Sequence, residues 1–170
     1  MKKGFTMIEL IFVIVILGIL ASVAIPRLAG TREDAEISTA VANLRTLVSD
    51  ANVYYVTKGD LKTKGNTTED AKWSEITSVP LVNGNNAAAT AEAKLKVGGE
   101  ECIGVQLVEK AGTTPAHIQF TKKTASGTAV TTGICGKVQG SDQLKPYLDS
   151  TLPGQTEKGK MAIGSTTKIY

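Results

Sequence analysis

Histidine and cysteine are scarce in this chain, with one histidine and two cysteines among 170 residues. Three such side chains cannot make a four-ligand zinc site from Cys and His alone. A strong excess of charge is also missing: 19 basic residues against 16 acidic ones leave a formal charge of +3. With no basic run longer than Lys122-Lys123, this balance gives little support to nucleic-acid binding. No phosphate-binding loop of the G-x-x-x-x-G-K-[ST] type occurs, and no G-x-S-x-G element accompanies the lone His117. An enzyme is therefore not expected.

What the chain has is concentrated at one end. Its mean hydropathy is near zero, yet the 17 residues from Leu10 to Pro26 carry no charge, and back to Phe5 only Glu9 does. Residues 5–25, taken as a helix at about 1.5 Å per residue, span roughly 30 Å, the thickness of a bilayer core. Leu, Ile, Phe and Val surround that helix, so it has no polar face with which to lie on a surface. About 110 residues remain beyond the first helix, enough for one small core and too few for a two-domain enzyme.

Two fates are open to the apolar segment. Lys2 and Lys3 followed by a small-residue site at Ala21-Ser22-Val23-Ala24 fit an ordinary cleaved signal peptide. Against that, Pro26 and Arg27 lead straight into a long amphipathic pattern, as though the helix continued. Flanking basic residues do not decide orientation, because Arg27 and Arg32 balance Lys2 and Lys3. Glu9 is the informative residue. A carboxylate in an apolar span costs roughly 2.5–3.5 kcal/mol at the bilayer centre and less near an edge. Either Glu9 is solvated at the headgroups, or it meets a positive partner within the membrane or an assembly.

Gly4-Phe5-Thr6-Met7-Ile8-Glu9-Leu10, with a basic leader before it and an apolar helix after it, resembles the signature of type IV prepilins. Major pseudopilins of type II secretion systems share that signature. The resemblance covers residues 1 to about 30. It implies that a prepilin peptidase cuts between Gly4 and Phe5 and methylates the new amino group of Phe5. It also makes Glu9 the glutamate that acts in filament assembly, and places Gly18 and Pro26 where the family weakens or kinks its helix.

Past Pro26, Ile37, Val41, Leu44, Val48, Ala51 and Tyr55 recur at spacings of three and four, the stripe of an amphipathic helix. Asp34, Glu36, Arg45 and Asp50 lie on its other faces, and Gly59 is its expected stop. Pro26 is expected to kink the helix, and Gly30 to weaken it nearby. Residues 59–101 read as a mostly irregular connection with turn signals at Gly65-Asn66, Pro80 and Asn83-Gly84-Asn85-Asn86. Within it, Trp73 and Ile76 are expected to fold back as core anchors. Period-two patterns predict three strands, over Cys102–Glu109, His117–Lys122 and Ala129–Cys135, with His117, Gln119 and Thr121 on a wet face. Gln143–Asp149 reads as a short helical turn, and the tail from Leu152 has no clear pattern. The expected fold class is α+β: a long amino-terminal helix packed on a small antiparallel sheet. The expected parts are a leader (1–4), a transmembrane or filament-core helix (5–25), an amphipathic helix (26–58) and a globular α+β domain (59–170).

Cys102 and Cys135 are an even pair, and outside the cytoplasm a bridge between them is the default, against free buried thiols. Each borders a predicted strand, so the bridge would staple the sheet. Glu100, Glu101, Asp142 and Asp149 could supply oxygens to calcium, as a carboxy-terminal loop does in major pseudopilins, but no EF-hand spacing is present; no metal or cofactor is expected.

The resemblance implies a structural subunit of a type IV pilus-like filament, either a type II secretion pseudopilus or a type IV pilus. Such a subunit is held in the bacterial inner membrane with its domain in the periplasm, and later forms a periplasmic or extracellular homo-oligomer. Implied partners are the prepilin peptidase, an inner-membrane assembly platform with a separate ATPase, and minor pilins or pseudopilins. The alternatives are a membrane-anchored periplasmic ligand-binding protein and a DNA-uptake pseudopilin.

Overall fold

The computed structural model describes residues 5–62, 69–82, 86–123 and 133–164, apart from the side chains of Pro26, Leu28 and Ala29. Gly4, Gly65-Asn66, Asn83-Gly84-Asn85 and residues 129–132 of the third expected strand lie outside the described residues. The chain forms two compact units, Met1–Ala35 and Glu36–Tyr170.

A single helix, α1 (Met7–Lys58), belongs to both units and is helical through Gly18 and Pro26. In the first unit its apolar side chains are exposed: Ile8 at 75%, Phe12 at 69% and Leu20 at 62%. In the second unit the same helix buries Ala40, Leu44, Leu47, Ala51 and Tyr54, with Val41 and Val48 beside them. The stripe is thus wider than the row read from sequence and centred one residue away, leaving Ile37 and Tyr55 only half-buried at its edges. A helix packed on a sheet buries a face of about 100° rather than one row. At the end of α1 the amide of Gly59 donates to the carbonyl of Tyr55 (2.8 Å), with Gly59 at φ +82°. This left-handed cap is one that glycine adopts without a Cβ penalty.

The connection after α1 is irregular but not loose. Backbone amides of Ala71, Ala89 and Leu107 donate in turn to the carbonyls of Leu61, Ala71 and Ala89, and all four side chains are fully buried. A one-turn helix, α2 (Trp73–Ile76), buries Trp73 and Ile76 as anchors.

Four strands, β1 (Ala93–Val97), β2 (Glu100–Val108), β3 (His117–Lys122) and β4 (Lys160–Ala162), pair antiparallel in that order. The irregular region therefore ends before Ala93. Buried Ala93, Leu95 and Val97 alternate with Lys94 and Lys96, a legible period-two pattern. The expected third strand is corrected: Gly133–Cys135 opens a helix, α3 (Gly133–Gly140). Gly133 at φ +74° breaks the extended backbone, and Cys135, Val138 and Gln139 are buried at helical spacing. The tail supplies β4 as the neighbour of β3 instead. Between α3 and β4, a short helix, α4 (Lys145–Leu148), falls inside the expected turn.

One cluster of buried side chains joins the second half of α1, α2, the sheet, α3 and α4. The fold class is α+β.

Gly104 in β2 marks a close approach on the other side of the sheet. A Cβ there would lie 2.0 Å from Glu92 Oε1 and 2.3 Å from Thr121 Oγ1. The Glu92 carboxylate crosses this gap, accepting from the Thr121 hydroxyl (2.7 Å) and pairing with Lys123 Nζ (3.1 Å). Partial burial opposes ionisation there, but these bonds hold the carboxyl below its ordinary range. Gly104→Ala should displace Glu92 and lower stability by about 1–3 kcal/mol. Denaturant unfolding reads this directly, and an unchanged midpoint would show that Glu92 moves aside at no cost.

Candidate functional site

The amino-terminal end of α1 places Thr6 as the residue before the first helical turn and Glu9 at the third helical position. The Thr6 amide and hydroxyl both donate to Glu9 Oε2, at 2.9 and 2.7 Å, and the Glu9 amide lies 3.3 Å from Thr6 Oγ1. This is a reciprocal capping box, which satisfies helix-end amides that have no partner in the helix itself. Its signature, Thr-x-x-Glu ahead of an apolar run, stands in the sequence at Thr6 to Glu9. Reading Glu9 only as a charge missed the role of Thr6.

The carboxylate is thus held in one orientation by its own chain. Around it, Phe5, Ile8, Phe12 and Val13 line an open hollow of about 460 Å³. Phe5 is 82% exposed. By length and composition, α1 contains a stretch able to cross a membrane. Gly4 lies outside the described residues. Beyond its chain neighbours and the nearby helix backbone, Gly18 has no atom within 4 Å of where a Cβ would stand.

Cys102 and Cys135 form a disulfide, with Cα atoms 5.0 Å apart. Because Cys135 lies in α3, the bridge ties a helix to β2 rather than strand to strand. The same helix is held by Gln139, a buried polar residue. Its side-chain amide donates to the carbonyls of Cys102 (2.8 Å) and Lys123 (2.6 Å). Sequence reasoning missed Gln139, whose role exists only once α3 is helical.

The four acidic residues considered for calcium do not converge. Glu101 pairs with Lys94 (2.6 Å), Asp142 with Lys145 (2.5 Å), and Asp149 with Lys122 and Lys158 (3.9 and 3.4 Å). Glu100 lies instead beside the two half-cystines, whose sulfurs are bonded to each other. A second polar hollow, of about 300 Å³, holds Lys62, Asp70, Thr90 and Glu109. There Asp70 is held below its ordinary range, first by the hydrogen bond from Lys62 and then by that from Thr90. Lysine occupies the centre of this acidic group.

His117 shares the outer sheet face with Gln119, as expected, but it is not wet: its exposure is 2%. Its Nδ1 meets the Pro115 carbonyl at 3.0 Å, and a hydrogen bond from Gln155 to Thr114 (3.3 Å) ties the tail to the loop preceding β3. Alternation fixes which face a strand residue takes, while burial depends on what later crosses that face.

Residues 1–25 match the prokaryotic N-terminal methylation motif. The chain is 43% identical over 53 residues to the type II secretion system core protein G of Dickeya chrysanthemi, covering 31% of this chain and 35% of that protein. It is 35% identical over 109 residues to a fimbrial protein of Neisseria meningitidis serogroup B, covering 63% of this chain and 64% of that protein. The chain spans only about a third of the length of the type II secretion relatives it matches. No solved structure matches it significantly. Through the methylation motif and these relatives, the chain is similar to the type IV pilin-like proteins and the type II secretion pseudopilins.

Proposed function

We propose that this protein is a structural subunit of a pilus-like filament and not an enzyme. The observation that carries the reading is the methylation motif joined to a helical segment, residues 5–25, whose apolar side chains are exposed all round and whose one carboxylate, Glu9, is held by Thr6. Water is a poor solvent for such a helix, so it rests either in a bilayer or among copies of itself.

In this reading residues 1–4 are a leader that a prepilin peptidase removes, and Phe5 becomes the methylated amino terminus. Residues 5–25 hold the subunit in the inner membrane and later form the filament core. Gly18 and Pro26 are the points where the helix bends most readily. Residues 26–58 continue as the amphipathic helix, and residues 59–170 complete a periplasmic domain that coats the filament. An assembly platform with its own ATPase supplies the work, and minor pilins or pseudopilins complete the set of partners. A membrane-anchored binding protein has less support, because a plain anchor needs neither the methylation motif nor a glutamate five residues into its mature end.

Mass spectrometry of the amino-terminal peptide from native envelope is the direct test. A chain starting at methylated Phe5 is expected. A chain starting at or after Pro26 would establish ordinary signal-peptide cleavage and end the filament reading.

A further inference from the structure

We propose that the segment Ser165-Thr166-Thr167-Lys168-Ile169-Tyr170 packs back on the second half of α1 in its own chain and covers the groove beside Val53. The inference concerns the Glu36–Tyr170 unit alone and does not rest on filament assembly.

One side of α1 carries an open groove. Arg45, Val48, Ser49, Asn52 and Val53 lie at helical spacing on one face and, with Tyr147 of α4 as a second wall, enclose about 400 Å³. Among the described residues of this unit, Val53 and Val56 are the exposed large hydrophobic side chains, at 63% and 71%.

Three arguments identify the occupant. The first is the tether. Gly164, the last described residue before the segment, donates its amide to Asn52 Oδ1 (3.1 Å), and the Tyr55 ring lies where a Cβ of Gly164 would stand. Asn52 is itself part of the groove's lining, so the segment starts at the groove wall. A tether this short keeps it at a high local concentration, ahead of any second chain. The second is reach. Six residues extend to about 20 Å, whereas Asn52 and Arg45 are only about 10 Å apart along α1, which leaves slack for a turn. The third is chemistry. Of the segments 63–68, 83–85, 124–132 and 165–170, which lie outside the described residues, only the last holds two large apolar side chains, Ile169 and Tyr170; 124–132 has Val130 alone. Adjacent side chains of an extended segment point to opposite sides, which suits a groove walled by Val53 on α1 and by Tyr147 on α4. Covering exposed apolar surface is favourable. Lys168, the one charge of the segment, is long enough to keep its ammonium in water and clear of Arg45.

The test uses the full chain, dilute in detergent, with a benzophenone side chain at position 53, and maps the photo-adducts by peptide mass spectrometry. An adduct within one chain, joining position 53 to residues 165–170, is expected. Ile169→Asp with Tyr170→Asp should remove that adduct and leave Trp73 fluorescence unchanged. Adducts to another copy, either to its residues 5–25 or to its residues 165–170, would overturn the inference. So would adducts confined to detergent or to other segments, and so would a within-chain adduct that survives the double substitution. Filament yield enters none of these outcomes, so the filament reading stands or falls separately.

Discussion

Glu9→Ala is expected to leave synthesis, cleavage and membrane insertion intact and to reduce filament yield by a hundredfold or more. Cleavage puts a cationic amine on Phe5, and an axial rise of about 6 Å separates it from Glu9 on the same helix. Neither charge is well tolerated alone among apolar side chains. A neighbouring helix shifted by about that rise brings the amine of one subunit to the carboxylate of the next. Removing one member leaves the other buried without compensation, at a cost on the order of 3–5 kcal/mol, or roughly two to four orders of magnitude in equilibrium.

The capping box adds a control. Thr6 holds Glu9 through its amide and hydroxyl, and glutamine can serve the same box position without the charge. Glu9→Gln should therefore keep the cap and still fail to assemble, whereas Glu9→Asp, with shorter reach, should be intermediate. Quantitative immunoblotting of sheared filaments against membrane-held subunit measures all three. Normal assembly of Glu9→Ala would reduce Glu9 to a helix cap solvated at the membrane edge.

Removing both cysteines, as Cys102→Ala with Cys135→Ala, is expected to lower the stability of the Glu36–Tyr170 unit by about 3–4 kcal/mol. The bridge spans 33 residues, and tying a loop of that length restricts the unfolded chain to roughly that extent. Its helix has a second hold in the folded state, the two hydrogen bonds from Gln139 to the backbone of β2 and the residue after β3. The variant should therefore keep its native fold at low temperature and melt earlier, on the order of 10 °C lower. Trp73, fully buried, is the natural fluorescent reporter for the full chain in detergent. An unchanged midpoint would mean that residual structure already restricts the unfolded chain as much as the bridge does. Membrane insertion should not change, since neither cysteine lies near the apolar segment.

The sequence by itself determined the elements whose signal is local. The run from Phe5 to Ile25 is apolar whatever surrounds it, and a stripe at spacings of three and four made the second half of α1 legible along with its glycine cap at Gly59. Strands β2 and β3 showed through strict alternation, and Trp73 and Ile76 stood out as large apolar side chains in a turn-rich connection, where Leu61 and Leu81 are buried as well. Lys94 and Lys96 between Ala93, Leu95 and Val97 carried the same alternation for β1, masked by the turn-rich, alanine-rich stretch before it. The Thr6–Glu9 cap was equally present as a spacing.

Tertiary structure alone decided the rest. Thr, Val and Ile around residues 128–134 favour extension, yet Gly133 turns the chain into α3, because burying Cys135, Val138 and Gln139 together requires helical spacing. Three residues of the tail make β4 only because β3 offers an open edge. His117 takes the outer face by alternation and loses its water to segments that pack over that face. Glu101, Asp142 and Asp149, alike in sequence, end beside separate lysines, since the partner of a surface charge is whichever opposite charge the fold brings near. Periodicity is a property of neighbours along the chain, whereas burial and ion pairing are properties of neighbours in space.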